Sequence, residues 1–170
     1  MLSESARVTT AAEAKFRIDY PNSKPRAVKV IALDAASEHV VKRLAALKWQ
    51  NATFFTSLKF DGAPRSGEGW NMKAWLSDLA GRTKDLLDEV ASADLVVMVA
   101  SAGTKPEAAS VIAEACNARK VMTTALVIDS QVKSDDDLSK TLATLRPHAA
   151  MLVIAGNDDY IDEMLAALRA

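Results

Sequence analysis

The sequence predicts an α/β domain: a three-layer, doubly wound, mainly parallel sheet. Three observations carry that expectation. Five short apolar runs, AVKVIAL (27–33), ATFFT (52–56), ADLVVMVA (93–100), VMTTALVID (121–129) and MLVIA (151–155), alternate with segments of helical period. Most of these runs are nearly continuous rather than alternating, as strands must be when helices cover both faces. At 170 residues, with 49% apolar and 25% charged side chains, the chain has the size of one domain with a full core.

In order along the chain, residues 1–26 are polar, alanine-rich and broken by Pro21 and Pro25, and they read as an arm before a single domain at 27–170. Within the arm, KFRIDY (15–20) offers an edge strand or a contact for a second subunit. After the first strand and the loop DAAS, Val40, Val41, Leu44 and Leu47 share one helical face. Residues 57–70 are rich in Gly, Pro, Asp and Ser and form the longest loop. A helix is expected from about Met72 to Ala91, with a break near Gly81, delivering Leu86, Leu87 and Val90 to the core. Further helices are expected at 106–118, 136–145 and 158–169. The last carries Ile161, Met164, Leu165 and Leu168, the stripe of a core-facing helix.

Composition excludes several function classes. A net charge of −1 leaves no electrostatic footprint for nucleic acid or an anionic membrane, so neither is expected as a partner. No apolar run reaches the ~18 residues of a spanning helix. The amino terminus carries Glu4 and no apolar core segment, so a cytoplasmic location is expected. Cys116, the one cysteine, reads as a buried thiol. His39 and His148 lack partners at ligand spacing and read as solvated, so no metal is expected. Asp135, Asp136 and Asp137 read as an acidic helix start. Of Trp70 and Trp75, one is expected as a core anchor and the other as a contact surface.

The candidate site is the carboxyl edge of the sheet, where ligands of α/β folds are held. Asp34 and Ser37 follow the first strand; Ser101, Gly103, Thr104 and Lys105 follow the third; Gly156 and Asn157 follow the last. Each has a structural reading beside the ligand-binding one. Asp34 fits a helix N-cap first, with a role as metal ligand or as acceptor for a ribose or amine as the alternative. Thr104 and Glu107 fit a capping box around Pro106, which would consume the amides that an anion needs. Gly156 is expected to supply a positive φ or a close backbone approach, and Asn157 or Asp158 to cap the closing helix. Asp129 lines the same edge.

The segments VKVIAL, DLLDEVASADLVVMVASAG, SVIAEACNARKVMTTALVI and LATLRPHAAMLVIAGNDDYIDEML occur in an order that resembles the tubulin/FtsZ-like GTPases, over roughly residues 27–168. The resemblance implies the Rossmann-like nucleotide-binding half of that family, with GTP as its nucleotide and Asn157 near base or sugar. The departures fall on the phosphate grips. Asp34-Ala35-Ala36-Ser37 stands where the family has glycines, and Gly103-Thr104-Lys105-Pro106-Glu107 where it has GGGTGTG. Asp159 replaces the arginine after the Asn-Asp pair, and the long central helix and hydrolysis-completing loop would lie beyond Ala170. The expectation is therefore a degenerate module that binds another protein or itself, as a homodimer, without GTP hydrolysis. No cofactor is assigned and GTP is not favoured. The alternatives are a binder of a nucleotide or other small anionic or nucleoside-like ligand at the carboxyl edge, and a small enzyme using Asp34, Ser101 and Lys105. The last lacks a nucleophile–base pair.

Overall fold

The computed structural model describes residues 25–57, 75–79, 82–129, 134–156 and 158–170. Expectations for Trp70, Asn157 and the arm before Pro25 lie outside the described residues. The elements run β1 (Val28–Ala32), α1 (Ala35–Ala45), β2 (Ala52–Thr56), β3 (Trp75–Asp78), β4 (Thr83–Asp85) and α2 (Leu86–Ala91). They continue with β5 (Leu95–Ser101), α3 (Ala108–Arg119), β6 (Met122–Ile128), α4 (Asp135–Leu145), a 3-10 turn (Arg146–His148), β7 (Met151–Ala155) and α5 (Asp158–Ala167).

Among the described residues seven strands form one sheet, in the order β4-β3-β2-β1-β5-β6-β7. The five strands read from the sequence pair in parallel, β1 with β2 and β5, β5 with β6, and β6 with β7. This is the doubly wound Rossmann-like arrangement. β1 and β5 are buried almost throughout, which is why their sequences carry so little polarity. Alternation along β5 sends Val96, Met98 and Ala100 into a cluster with α2, α3 and α4, and Leu95, Val97 and Val99 into one with α1 and α5. Each fully buried Leu, Ile or Val side chain contributes about 1.5–3 kcal/mol relative to exposure.

The expected helix at 72–91 is corrected. Trp75–Asp78 and Thr83–Asp85 form an antiparallel hairpin that extends the sheet beyond β2, and of the described residues in that span only Leu86–Ala91 are helical. Its turn is closed by the Asp78 amide donating to the Arg82 carbonyl at 2.9 Å. In return the Arg82 amide donates to Asp78 Oδ1 at 2.8 Å, and the Arg82 guanidinium pairs with Asp78 Oδ2. Leu76 points into the core and Asp85 caps α2, accepting from the Leu87 and Asp88 amides. The side chain of Trp75 is outside the described set. The aromatic anchor the structure does show is Trp49, whose indole N–H donates to the Leu44 carbonyl and whose ring lies 6.4 Å from that of Phe54.

Candidate functional site

After β1 the chain turns to β2 on one side, and later enters β5 on the other. The loops after β1 and β5 therefore diverge and leave the switch-point crevice where α/β folds hold ligands. Asp34 sits there as the N-cap of α1, in extended conformation, with a reciprocal capping box to Ser37. Its Oδ1 accepts from the Ser37 amide at 2.8 Å. The Ser37 hydroxyl accepts from the Asp34 amide at 3.1 Å and donates to the Asp34 carbonyl at 3.0 Å. Ser37 is wholly buried and its hydroxyl is used up in the cap.

The other oxygen of Asp34 crosses the crevice. Oδ2 accepts from the Ser101 amide at 2.8 Å and from the Thr104 hydroxyl at 3.2 Å. The same Thr104 hydroxyl reaches the Ser101 carbonyl at 2.7 Å, so its single proton is shared between two acceptors. Gly103 takes φ 85, a backbone conformation glycine adopts without strain, and aims its amide at Thr141 Oγ1, 3.0 Å away. Thr141 in turn donates towards the Thr104 carbonyl at 2.9 Å and the Asp137 carbonyl at 3.3 Å. A continuous hydrogen-bonded path thus runs across the carboxyl edge, from α1 on one face through Asp34, the loop after β5 and Thr141 to α4 on the other.

The Thr104–Glu107 capping box is corrected. Thr104 serves the crevice network, and Glu107 occupies the N-cap position of α3 in helical conformation with no side-chain cap bond. Pro106 disfavours helical conformation at Lys105. The chain makes a tight turn there, Glu107 N–H to Lys105 carbonyl at 2.9 Å, and α3 begins only at Ala108. The expectation for Gly156 is also corrected: a side chain there would meet nothing within 4 Å, and its φ is not positive. Asp129 is half-buried at the end of β6, its amide donating to the Ala155 carbonyl at 2.9 Å. Lys105 is exposed beside the crevice. Asp34, Ser37, Ser101, Gly103 and Thr104 are therefore brought together, while Gly156 stands off at the end of β7.

Thr141 was missed by sequence reasoning. The signal available was a threonine on the helical stripe of Leu138, Leu142 and Leu145, where an apolar residue would be ordinary. His39 is exposed on α1 and His148 lies at the opposite edge, its carbonyl accepting from Thr123 Oγ1. Among the described residues no group of His, Cys, Asp or Glu could hold a metal ion, and no helix is long and apolar enough to cross a membrane. A separate cavity of about 290 Å³ opens at the far, amino edge between Lys48, Trp49, Gln50 and Arg169.

What the fold and site define is a doubly wound α/β domain whose switch-point crevice is occupied by its own carboxylate. Neither a protein-family model nor a curated protein matches the sequence. Among solved structures the chain is similar to translation elongation factor SelB from Methanococcus maripaludis in complex with the GTP analogue GppNHp. The TM-score is 0.48 at 9% identity, over 85% of this chain and 34% of that one. The chain thus spans about a third of SelB's length, and a likeness at that level bears on neither ligand nor activity.

Proposed function

We propose that this domain is a binding or regulatory module without nucleotide hydrolysis, a degenerate tubulin/FtsZ-like fold whose phosphate grips have been replaced. The supporting observation is the Asp34 carboxylate, which accepts from the Ser37 and Ser101 amides at 2.8 Å each. Amides at a helix start and a strand end are the donors an anionic ligand would use. Here the protein's own anion takes them. A phosphate entering within ~4 Å of that carboxylate would meet a repulsion of about 4 kcal/mol at an effective dielectric of 20, close to a thousandfold in affinity.

The test is calorimetry with inorganic phosphate, GDP and GTP, together with a phosphate-release assay, on the wild type and Asp34→Asn. Asparagine still caps a helix, so the variant keeps the fold while losing the charge. The wild type is expected to release no phosphate from GTP, and the variant to bind anions more tightly. Release by the wild type that Asp34→Asn abolishes overturns the reading.

A second reading rests on Lys105, exposed at the rim with no ion-pair partner among the described residues, beside the open turn at Gly103. A small nucleoside-like or weakly anionic ligand could sit there without displacing Asp34. A thermal-shift screen of nucleotides and common metabolites separates the two readings. A multi-degree rise with one compound, lost in Lys105→Ala, favours the second.

A further inference from the structure

β7 is an edge strand. It pairs with β6 on one side and has no ladder partner on the other among the described residues. Its sequence, Met-Leu-Val-Ile-Ala, holds no charge, proline or glycine, the devices that ordinarily blunt a free edge. Met151 is 40% and Ile154 46% exposed, on opposite faces of the strand. The surrounding charge is polar along the strand axis. α4 runs from the carboxyl edge back to the amino edge on the face that Leu152 shares, and it starts with Asp135, Asp136 and Asp137. It ends in the turn carrying Arg146 and His148, which leads directly into β7. Apart from Lys140, which pairs with Asp137 at 3.8 Å, acid lies at one end of α4 and base at the other, about 16 Å apart.

We propose that β7 is a homodimer interface, pairing antiparallel with β7 of a second copy about a two-fold axis through Val153. Antiparallel pairing places Leu152 opposite the partner's Ile154 on one face and Met151 opposite the partner's Ala155 on the other, so both exposed side chains gain an apolar neighbour. It also runs the two α4 helices in opposite directions on the same face, so that the acidic end of each lies on the same side of the sheet edge as the basic end of the other, with their helix dipoles opposed. Parallel addition of any strand with the same charge pattern would align acid with acid. The charge polarity therefore selects a second copy in the antiparallel sense, and the two-fold makes each favourable contact twice. No residue of β7 takes part in the Asp34 network, and the test reads oligomeric state rather than ligand binding, so its outcome is distinguishable from the reading of that crevice.

Light scattering and equilibrium sedimentation of the full chain at tens of micromolar are expected to give twice the chain mass. Ile154→Lys replaces an apolar contact across the seam by a charged side chain at each of two symmetric positions and is expected to weaken the dimer by about tenfold or more. Arg146→Glu, exposed and outside the sheet, is expected to weaken it too. Mixing Arg146→Glu with a copy carrying Asp135→Lys and Asp136→Lys is expected to restore pairing as a heterodimer. A monomer at these concentrations, or a dimer indifferent to both Ile154→Lys and Arg146→Glu, overturns the proposal. A dimer weakened by Ile154→Lys but not by Arg146→Glu overturns the antiparallel arrangement.

Discussion

Asp34 Oδ2 lies 2.8 Å from the amide nitrogen of Ser101, 67 residues later in the chain, while Oδ1 holds the Ser37 amide at the same distance. One carboxylate therefore ties the first turn of α1 to the end of β5. Asp34→Ala removes a helix cap and a charge-assisted bond between elements, and is expected to cost about 2–3 kcal/mol. Asp34→Asn keeps one acceptor and should cost less. Urea unfolding measures both; equal losses would mean that the charge contributes nothing.

Cys116 lies wholly buried in the cluster beneath α3, and burial pushes its thiol up from 9.0 to about 12. As pH rises, the unfolded chain loses this proton first, which draws the equilibrium towards unfolding. The stability is intact below pH 9 and falls between 9 and about 12, by at most ~1.4 kcal/mol per pH unit from this group. Cys116→Ala is expected to show a shallower decline across that window, with a constant offset below it. In the native state the thiol should resist a disulfide reagent at pH 8 and react only on unfolding.

Arg43 of α1 and Asp162 of α5 form a two-pronged pair, 3.1 Å from Nη1 to Oδ2 and 3.0 Å from Nη2 to Oδ1. Both side chains are about one-third exposed, so solvent screens them and the coupling is expected at only about 0.5–1 kcal/mol. A double-mutant cycle with Arg43→Ala and Asp162→Ala measures it, and molar salt should remove most of it. A coupling insensitive to salt would count against this assignment.

How far the sequence could be read follows from where each signal is stored. β1, β5 and β6 are covered on both faces, so burial wrote continuous apolar runs that mark them. The β3–β4 hairpin left no such mark. Leu76, Leu79, Leu86, Leu87 and Val90 are spaced acceptably for a helix, and Lys84, Asp78 and Asp85 disfavour strands. What makes strands there is pairing, Phe55 with Asp78 and Thr56 with Ser77, which no local pattern encodes. The site divides in the same way. Asp34 as a cap is legible from the helix that follows it, whereas its bonds to Ser101 and Thr104 exist only once β1 and β5 are neighbours. The Thr104–Glu107 spacing matched a local motif, but Pro106 delays the helix until Ala108 and leaves the threonine to the crevice.

Thr123 and Thr124 are adjacent in β6 and point to opposite faces of the sheet, and their hydroxyls differ in one respect. Thr123 Oγ1 donates to the His148 carbonyl at 3.0 Å, whereas Thr124 Oγ1 is buried with no hydrogen-bond partner among the described residues. Valine has nearly the shape of threonine, with a methyl in place of the hydroxyl. Thr124→Val therefore removes a desolvated, unpaired group and is expected to stabilise the domain by about 1–2 kcal/mol. For a chain of this size that corresponds to a rise of roughly 2–8 °C in Tm. Thr123→Val removes one half of a made bond, leaves the His148 carbonyl short of a donor and is expected to cost about 1 kcal/mol. Calorimetry of the two variants reads opposite signs if the hydroxyls differ as described; a loss of stability in both would mean that Thr124 has a partner, such as a buried water, in solution.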